Sequence, residues 1–188
     1  MLRLTNVFKL FNPGTVDEKT ALAGINLQLN PGDFVTVIGS NGAGKSTLMN
    51  IISGSMQPDM GEVVIDGRDV TRMPEFKRSA YIGRVFQDPM AGTAPRMTIE
   101  ENLAMALKRG QSRGMRLGVT RRKREMFREH LARLGIGLEN RLRAKVGLLS
   151  GGERQALSLL MATFTNPRIL LLDEHTAALD PARADLMT

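Results

Sequence analysis

Residues 2–8 alternate apolar and polar side chains, and residues 22–29 do the same, so both stretches predict strands. Pro31-Gly32 marks a turn. The apolar run Phe34-Val35-Thr36-Val37-Ile38 then predicts a short buried strand that leads straight into glycine. A helix is expected from Lys45 to about Ser53, stopped by Gly54, and residues 62–67 and 81–86 read as further strands. Residues 88–97 form a loop rich in Pro, Gly and Ala. Thr98 then opens a helix, with Glu101 completing a capping box. A second long helix should cover about 120–134, and Ser150 starts another that Asn166-Pro167 ends. The all-aliphatic stretch Ile169–Leu172 predicts a fully buried strand, and Pro181 begins a final helix. Strands at both ends and helices between them predict an α/β core, about 1–91 and 146–188, with an inserted α-helical subdomain at about 92–145.

Composition narrows the function classes. With 188 residues, 42% hydrophobic and 24% charged, the chain can bury a real core, which excludes wholesale disorder. It has no cysteine, so disulfide frameworks, thiolate zinc sites and Cys nucleophiles are excluded. Trp is absent and aromatics are only 4%, which argues against an aromatic platform for sugars or single strands. No stretch approaches the roughly 18 apolar residues of a membrane span, and the N-terminus lacks a signal peptide's apolar core. An intracellular protein with only peripheral membrane contact is expected. The net charge of +7 is concentrated: residues 108–128 hold nine bases and one acid, leaving the remainder at −1. A solvated helical arm, contact with membrane-subunit loops or anionic headgroups, and nucleic-acid binding are the three readings of that segment.

The chemistry begins where the predicted strand at 34–38 ends. Gly39-Ser40-Asn41-Gly42-Ala43-Gly44-Lys45-Ser46, followed by Thr47, fits the phosphate-loop pattern without a mismatch. Glycines let backbone N–H groups converge on phosphate oxygens, which a β-carbon would block. Lys45 adds a point charge for the β- and γ-phosphates, the Ser46 hydroxyl is suited to ligate Mg²⁺, and the following helix contributes its positive end. ATP is the expected nucleotide. A second signal is Leu149-Ser150-Gly151-Gly152-Glu153-Arg154-Gln155. Ser150 with Glu153 is a capping box, but two glycines after the cap cost a helix about 1 kcal/mol each relative to Ala. That cost makes sense if bare N–H groups there must touch an anion.

This second motif resembles the signature sequence of the ABC (ATP-binding cassette) ATPases, in which the helix end contacts the γ-phosphate bound by the opposite subunit. The resemblance covers essentially the whole chain. It implies a P-loop NTPase core carrying an inserted α-helical subdomain. Ser150, Gly151, Gly152 and Glu153 then serve the ATP of a partner subunit. Ile169–Leu172 delivers Asp173 and Glu174 at its C-terminal end, similar to the family's Walker B: Asp173 is suited to hold Mg²⁺ through water, and Glu174 to polarise the attacking water. Gln87 resembles the Q-loop glutamine at the Mg²⁺/water site. Asp180, in Ala178-Leu179-Asp180, resembles the D-loop at the dimer interface, and Phe11 stands where the family places an aromatic that stacks on adenine. The order and spacing of these motifs resemble transporter cassettes. The activity implied is ATP hydrolysis by a homodimer or paired cassette that drives a separate membrane permease. The implied location is the inner face of the cell membrane. A bacterial uptake group that sits beside periplasmic or extracellular solute-binding proteins, presumed to carry amino acids or similar small solutes, looks most similar.

Two departures stand out. His175 follows Glu174 where most relatives have Pro, and a loop histidine packing beside the D-loop is its expected role. His130, amid Arg and Glu on a helix, is expected to be solvated. The family's γ-phosphate-sensing histidine lies some thirty residues past the Walker B, beyond Thr188. On the resemblance the 188 residues are expected to be an incomplete cassette, leaving Ile169–Leu172 with one neighbouring strand absent. The alternative function is a soluble ABC-type ATPase acting on nucleic acid or ribosomes. DNA-repair relatives insert long coiled coils or zinc modules, and this chain has neither a heptad array nor a cysteine. A non-enzymatic nucleotide sensor is a third reading, against which Lys45, Ser150 and Glu174 are all intact. No nucleic acid is expected as partner.

Overall fold

The computed structural model describes residues 1–111, 114 and 117–173. The chain divides into two compact units, residues 1–82 and 83–188.

The first unit is built on a four-stranded antiparallel sheet in the order β2-β1-β3-β4, formed by β1 (Leu2–Phe11), β2 (Lys19–Leu29), β3 (Met60–Ile65) and β4 (Arg68–Asp69). Alternation does what the sequence predicts at the start of β1. Leu2, Leu4 and Val7 are buried, and they join Leu22, Val63 and Ile65 in the core. Each such side chain contributes about 2 kcal/mol of apolar burial. Both long strands run three residues further than expected towards the turn between them, so that Phe11 and Lys19 face each other across the ladder. The strand expected at 62–67 ends earlier, because Asp66 and Gly67 take positive φ and turn the chain into β4.

Helix α1 (Lys45–Ser53) has the expected bounds, with Gly54 at its C-cap in the left-handed region. Ile51 and Ile52 are buried. The short helix α2 (Glu75–Arg78), absent from the sequence reading, carries the fully buried Arg78. Its guanidinium donates to the carbonyls of Ile51 (2.6 Å), Ile52 (3.1 Å), Thr71 (2.8 Å) and Met73 (2.9 Å). It thereby satisfies the orphan carbonyls at the end of α1.

One expectation fails. Residues 34–38 form no strand: Phe34 is 86% exposed and Ile38 89% exposed, and no described strand pairs with them. An extended segment becomes a strand only when a neighbour takes its backbone N–H and C=O groups, and apolar side chains alone do not supply one.

The second unit contains β5 (Ile82–Val85), which begins at the unit boundary, α3 (Ile99–Leu107), α4 (Arg121–Ala132), α5 (Gly151–Thr163) and β6 (Ile169–Leu172), with short 3-10 turns at Leu138–Asn140 and Val146–Leu148. Both predicted capping boxes are present, Thr98 with Glu101 and Ser150 with Glu153. The three helices share one core in which Ile99, Leu103, Phe127, Leu131, Leu157 and Met161 are buried. The strands β5 and β6 pair with each other as a two-stranded sheet, and no other described strand adjoins β6. Its middle is mixed in exposure: Ile169 and Leu171 are buried while Leu170 is 38% exposed.

The basic segment is not one solvated arm. Arg124 forms a two-pronged pair with Glu100 at 2.6 and 3.2 Å, and Arg109 reaches the Ala162 carbonyl at 3.3 Å. Arg121, Arg122 and Arg128 remain exposed on α4. His130 departs from its expected solvated place. It is half-buried, its Nδ1 lies 2.8 Å from the Met126 carbonyl, and its ring centre is 4.8 Å from that of Phe164.

Candidate functional site

In the first unit the loop Gly39-Ser40-Asn41-Gly42-Ala43-Gly44 wraps into the N-terminus of α1, as a phosphate loop requires. Gly44 is the N-cap residue, with φ 90° and no side-chain cap, so the first-turn N–H groups of α1 take no side-chain acceptor. Glycine is obligatory there for two reasons: the left-handed backbone, and the close approach of the Ala21 carbonyl, into which a β-carbon would run. Strand β2 therefore props the loop from one side. Lys45 is half-buried and its ammonium donates to the carbonyls of Gly39 (2.7 Å) and Ser40 (3.0 Å), holding it over the loop. Ser46 is exposed at the start of the helix, and Thr47 is half-buried behind it.

Phe11 ends β1 half-buried, with the Lys9 ammonium 6.0 Å from its ring centre. The sequence reading did not single out Lys19. Its ammonium nitrogen lies where a β-carbon built on Gly42 would be only 3.3 Å away. No local motif marks this residue; it reaches the loop because β2, whose Ala21 carbonyl approaches Gly44, runs beside it.

In the second unit Ser150 caps α5, accepting from the Glu153 N–H at 3.3 Å, while Glu153 accepts from the Ser150 N–H at 2.8 Å. Arg141 anchors the other Glu153 oxygen at 2.7 Å. The backbone bond from Ser150 chiefly, with the Ser150 hydroxyl and Arg141 assisting against some desolvation, holds the Glu153 carboxyl below its ordinary 4.5. Arg154 donates to the Leu149 carbonyl at 2.7 Å and so braces the approach to the helix. A β-carbon on Gly151 or Gly152 would meet nothing within 4 Å, so packing does not explain these two glycines. Both are exposed at the positive end of a thirteen-residue helix.

Gln87 follows β5 and is exposed. The loop after it is held by Asn102, which is fully buried and pairs with both the N–H (2.8 Å) and the C=O (3.1 Å) of Ala94. Asp173 follows β6, its N–H donating to the Val85 carbonyl at 3.1 Å and its carboxylate 3.5 Å from Arg84. Arg84, on β5, lies 4.6 Å over the Phe86 ring, and no local motif in the sequence marks it. Glu174, His175, Asp180 and the expected helix from Pro181 lie outside the described residues.

Among the described residues no cluster of three or more His, Asp or Glu side chains could cage a metal ion. Ser46, Gln87 and Asp173 offer only hydroxyl, amide and carboxylate oxygens. Each of these donor types suits Mg²⁺.

Residues 22–177 match the family described as ABC transporter. The chain is 42% identical over 182 residues to the tyrosine transport ATP-binding protein of Clostridioides difficile, covering 96% of this chain and 72% of that protein. It is 36% identical to the methionine import ATP-binding protein MetN 2 of Enterococcus faecalis, covering 98% of this chain and 51% of that one. Among solved structures it is similar to an ATP-binding cassette captured as a dimer in a post-hydrolysis state with ADP and Pi. The TM-score is 0.82 at 32% identity, covering 100% of this chain and 79% of the other. The chain thus spans about three quarters of some relatives and half of others. With the phosphate loop formed at the head of α1 and the capped glycine pair at the head of α5, this protein belongs to the ABC transporter family, as an ATP-binding subunit of the ATP-hydrolysing kind.

Proposed function

We propose that this chain powers an importer of amino acids, with ATP as its fuel. It would act as one of two cassettes beneath a separate membrane permease, on the inner face of the membrane and supplied by a solute-binding protein. The observation that carries the ATP site is the phosphate loop, with Lys45 poised over it and the first turn of α1 left uncapped. The solute class is supported by relatives named for tyrosine transport and methionine import. The nucleic-acid alternative loses support, because the relatives named above are transport proteins.

In this reading Gly39, Ser40, Asn41, Gly42, Ala43, Gly44, Lys45, Ser46 and Thr47 wrap the phosphates, and Phe11 stacks on adenine. Ser46, Gln87 and Asp173 would hold Mg²⁺, whose charge offsets that of the β- and γ-phosphates when bound. Glu174 orients the attacking water and receives its proton. Ser150, Gly151, Gly152 and Glu153 present the α5 N-terminus to the ATP of the other cassette, and Asp180 borders that interface.

The test is uptake. Deleting the gene should abolish concentrative uptake of labelled tyrosine. The wild-type gene should restore it and a Lys45→Ala copy should not, because the phosphates lose their cation at the head of α1. Undiminished tyrosine uptake in the deletion strain would overturn the solute assignment. Restoration by Lys45→Ala would overturn the role of the phosphate loop.

A further inference from the structure

Lys19 opens β2 directly opposite Phe11 in the antiparallel ladder. Its side chain is exposed, and its ammonium nitrogen stands beside Gly42, 3.3 Å from where a β-carbon on that residue would be. Among the described residues no carboxylate or carbonyl accepts a hydrogen bond from this ammonium. The adjacent Glu18 is committed elsewhere, accepting from the Gly14 N–H at 2.6 Å. Lys45, by contrast, is already bonded to two loop carbonyls. The loop is therefore flanked by two cations with different neighbours, one engaged by the loop itself and one open.

Resting on the nucleotide reading of this loop, we propose that Lys19 is a further nucleotide-binding residue whose ammonium takes the α- and β-phosphates. The placement follows from its neighbours. A nucleotide whose base lies on Phe11 and whose phosphates enter the loop must pass Lys19 between them. The phosphates nearest the base are the ones ATP and ADP share. The absence of a side chain on Gly42 leaves the lysine room to reach them. A polyphosphate carries several negative charges, and a second ammonium at the loop raises the local positive potential.

The experiment is equilibrium binding of fluorescent ATP and ADP analogues to the whole chain, at low and high salt. Lys19→Met, Lys19→Arg and Lys45→Ala variants are compared with the wild type. Lys19→Met should weaken ATP and ADP by the same factor, roughly 10-fold, as expected for one charge-assisted contact. The loss should shrink at high salt. Lys19→Arg should retain most of the affinity. The melting temperature of Lys19→Met should be unchanged, because an exposed side chain without protein partners is removed. Wild-type affinity of Lys19→Met for both nucleotides would overturn the proposal. So would a loss for ATP alone, which would assign Lys19 to the γ-phosphate. Lys45→Ala separates the two levels: if it binds ATP as the wild type does, the loop is not a nucleotide site and the assignment of Lys19 falls with it.

Discussion

At the scale of single residues, Asp173 is tied down where β6 ends. Its N–H is held by Val85 and its side chain lies 3.5 Å from Arg84. Glu174, the next residue, is the one proposed to meet water. Glu174→Gln keeps the shape and removes the base. ATP should still bind, while turnover falls by roughly 10²-fold or more, read from phosphate release under saturating ATP. Turnover at the parent rate would remove Glu174 from the catalytic role. Lys19 and Arg84 make the complementary point. Each is ordinary in sequence, and strand pairing sets Lys19 opposite Phe11 and brings Arg84 within 3.5 Å of Asp173.

At the scale of elements, the helix ends carry the predictions. Glu153 is bonded as a carboxylate by the Ser150 N–H and Arg141, which holds its folded pKa below 4.5. Its contribution to stability is therefore complete above pH 4.5 and is lost as the pH falls through the lower folded value. Melting curves between pH 6 and 3 should show Glu153→Gln less stable than wild type at pH 6, the gap closing with acid. A gap independent of pH would mean that the charge is irrelevant to the cap. The end of α1 depends on Arg78, whose pKa burial pushes down and Asp69 partly restores. Arg78→Met leaves the carbonyls of Ile51, Ile52, Thr71 and Met73 without this donor. It should cost about 3 kcal/mol, measured as a lower urea midpoint. An unchanged midpoint would show that water replaces the guanidinium. The caps of α3 and α5 were legible in advance, since Thr98/Glu101 and Ser150/Glu153 are local patterns. Arg78 was not, because its acceptors lie up to 27 residues away.

At the scale of the whole molecule, packing within the chain does not explain the exposed Gly151 and Gly152, and their proposed role is toward the ATP of another cassette. Ser150→Arg should leave ATP binding by the isolated chain intact and stop hydrolysis by the assembled pair. Bulk at this helix end blocks closure on the partner's γ-phosphate. Equal loss of ATP affinity in the isolated variant, measured by nucleotide titration, would contradict a shared site. The sequence by itself determined the phosphate loop, both capping boxes and the bounds of α1, because each rests on residues within a few positions of one another, and the family, because its motifs recur in order along the chain. Only the tertiary structure decided which apolar runs became strands. Residues 169–172 pair with β5, whereas residues 34–38, apolar but for Thr36, stand exposed without a described partner. It also decided that Lys19 reaches Gly42 and that Arg78 closes α1. The reason is physical: helix caps and glycine loops satisfy their own backbone locally. A strand, a buried cation and a ligand-facing lysine are defined by what the rest of the chain brings beside them.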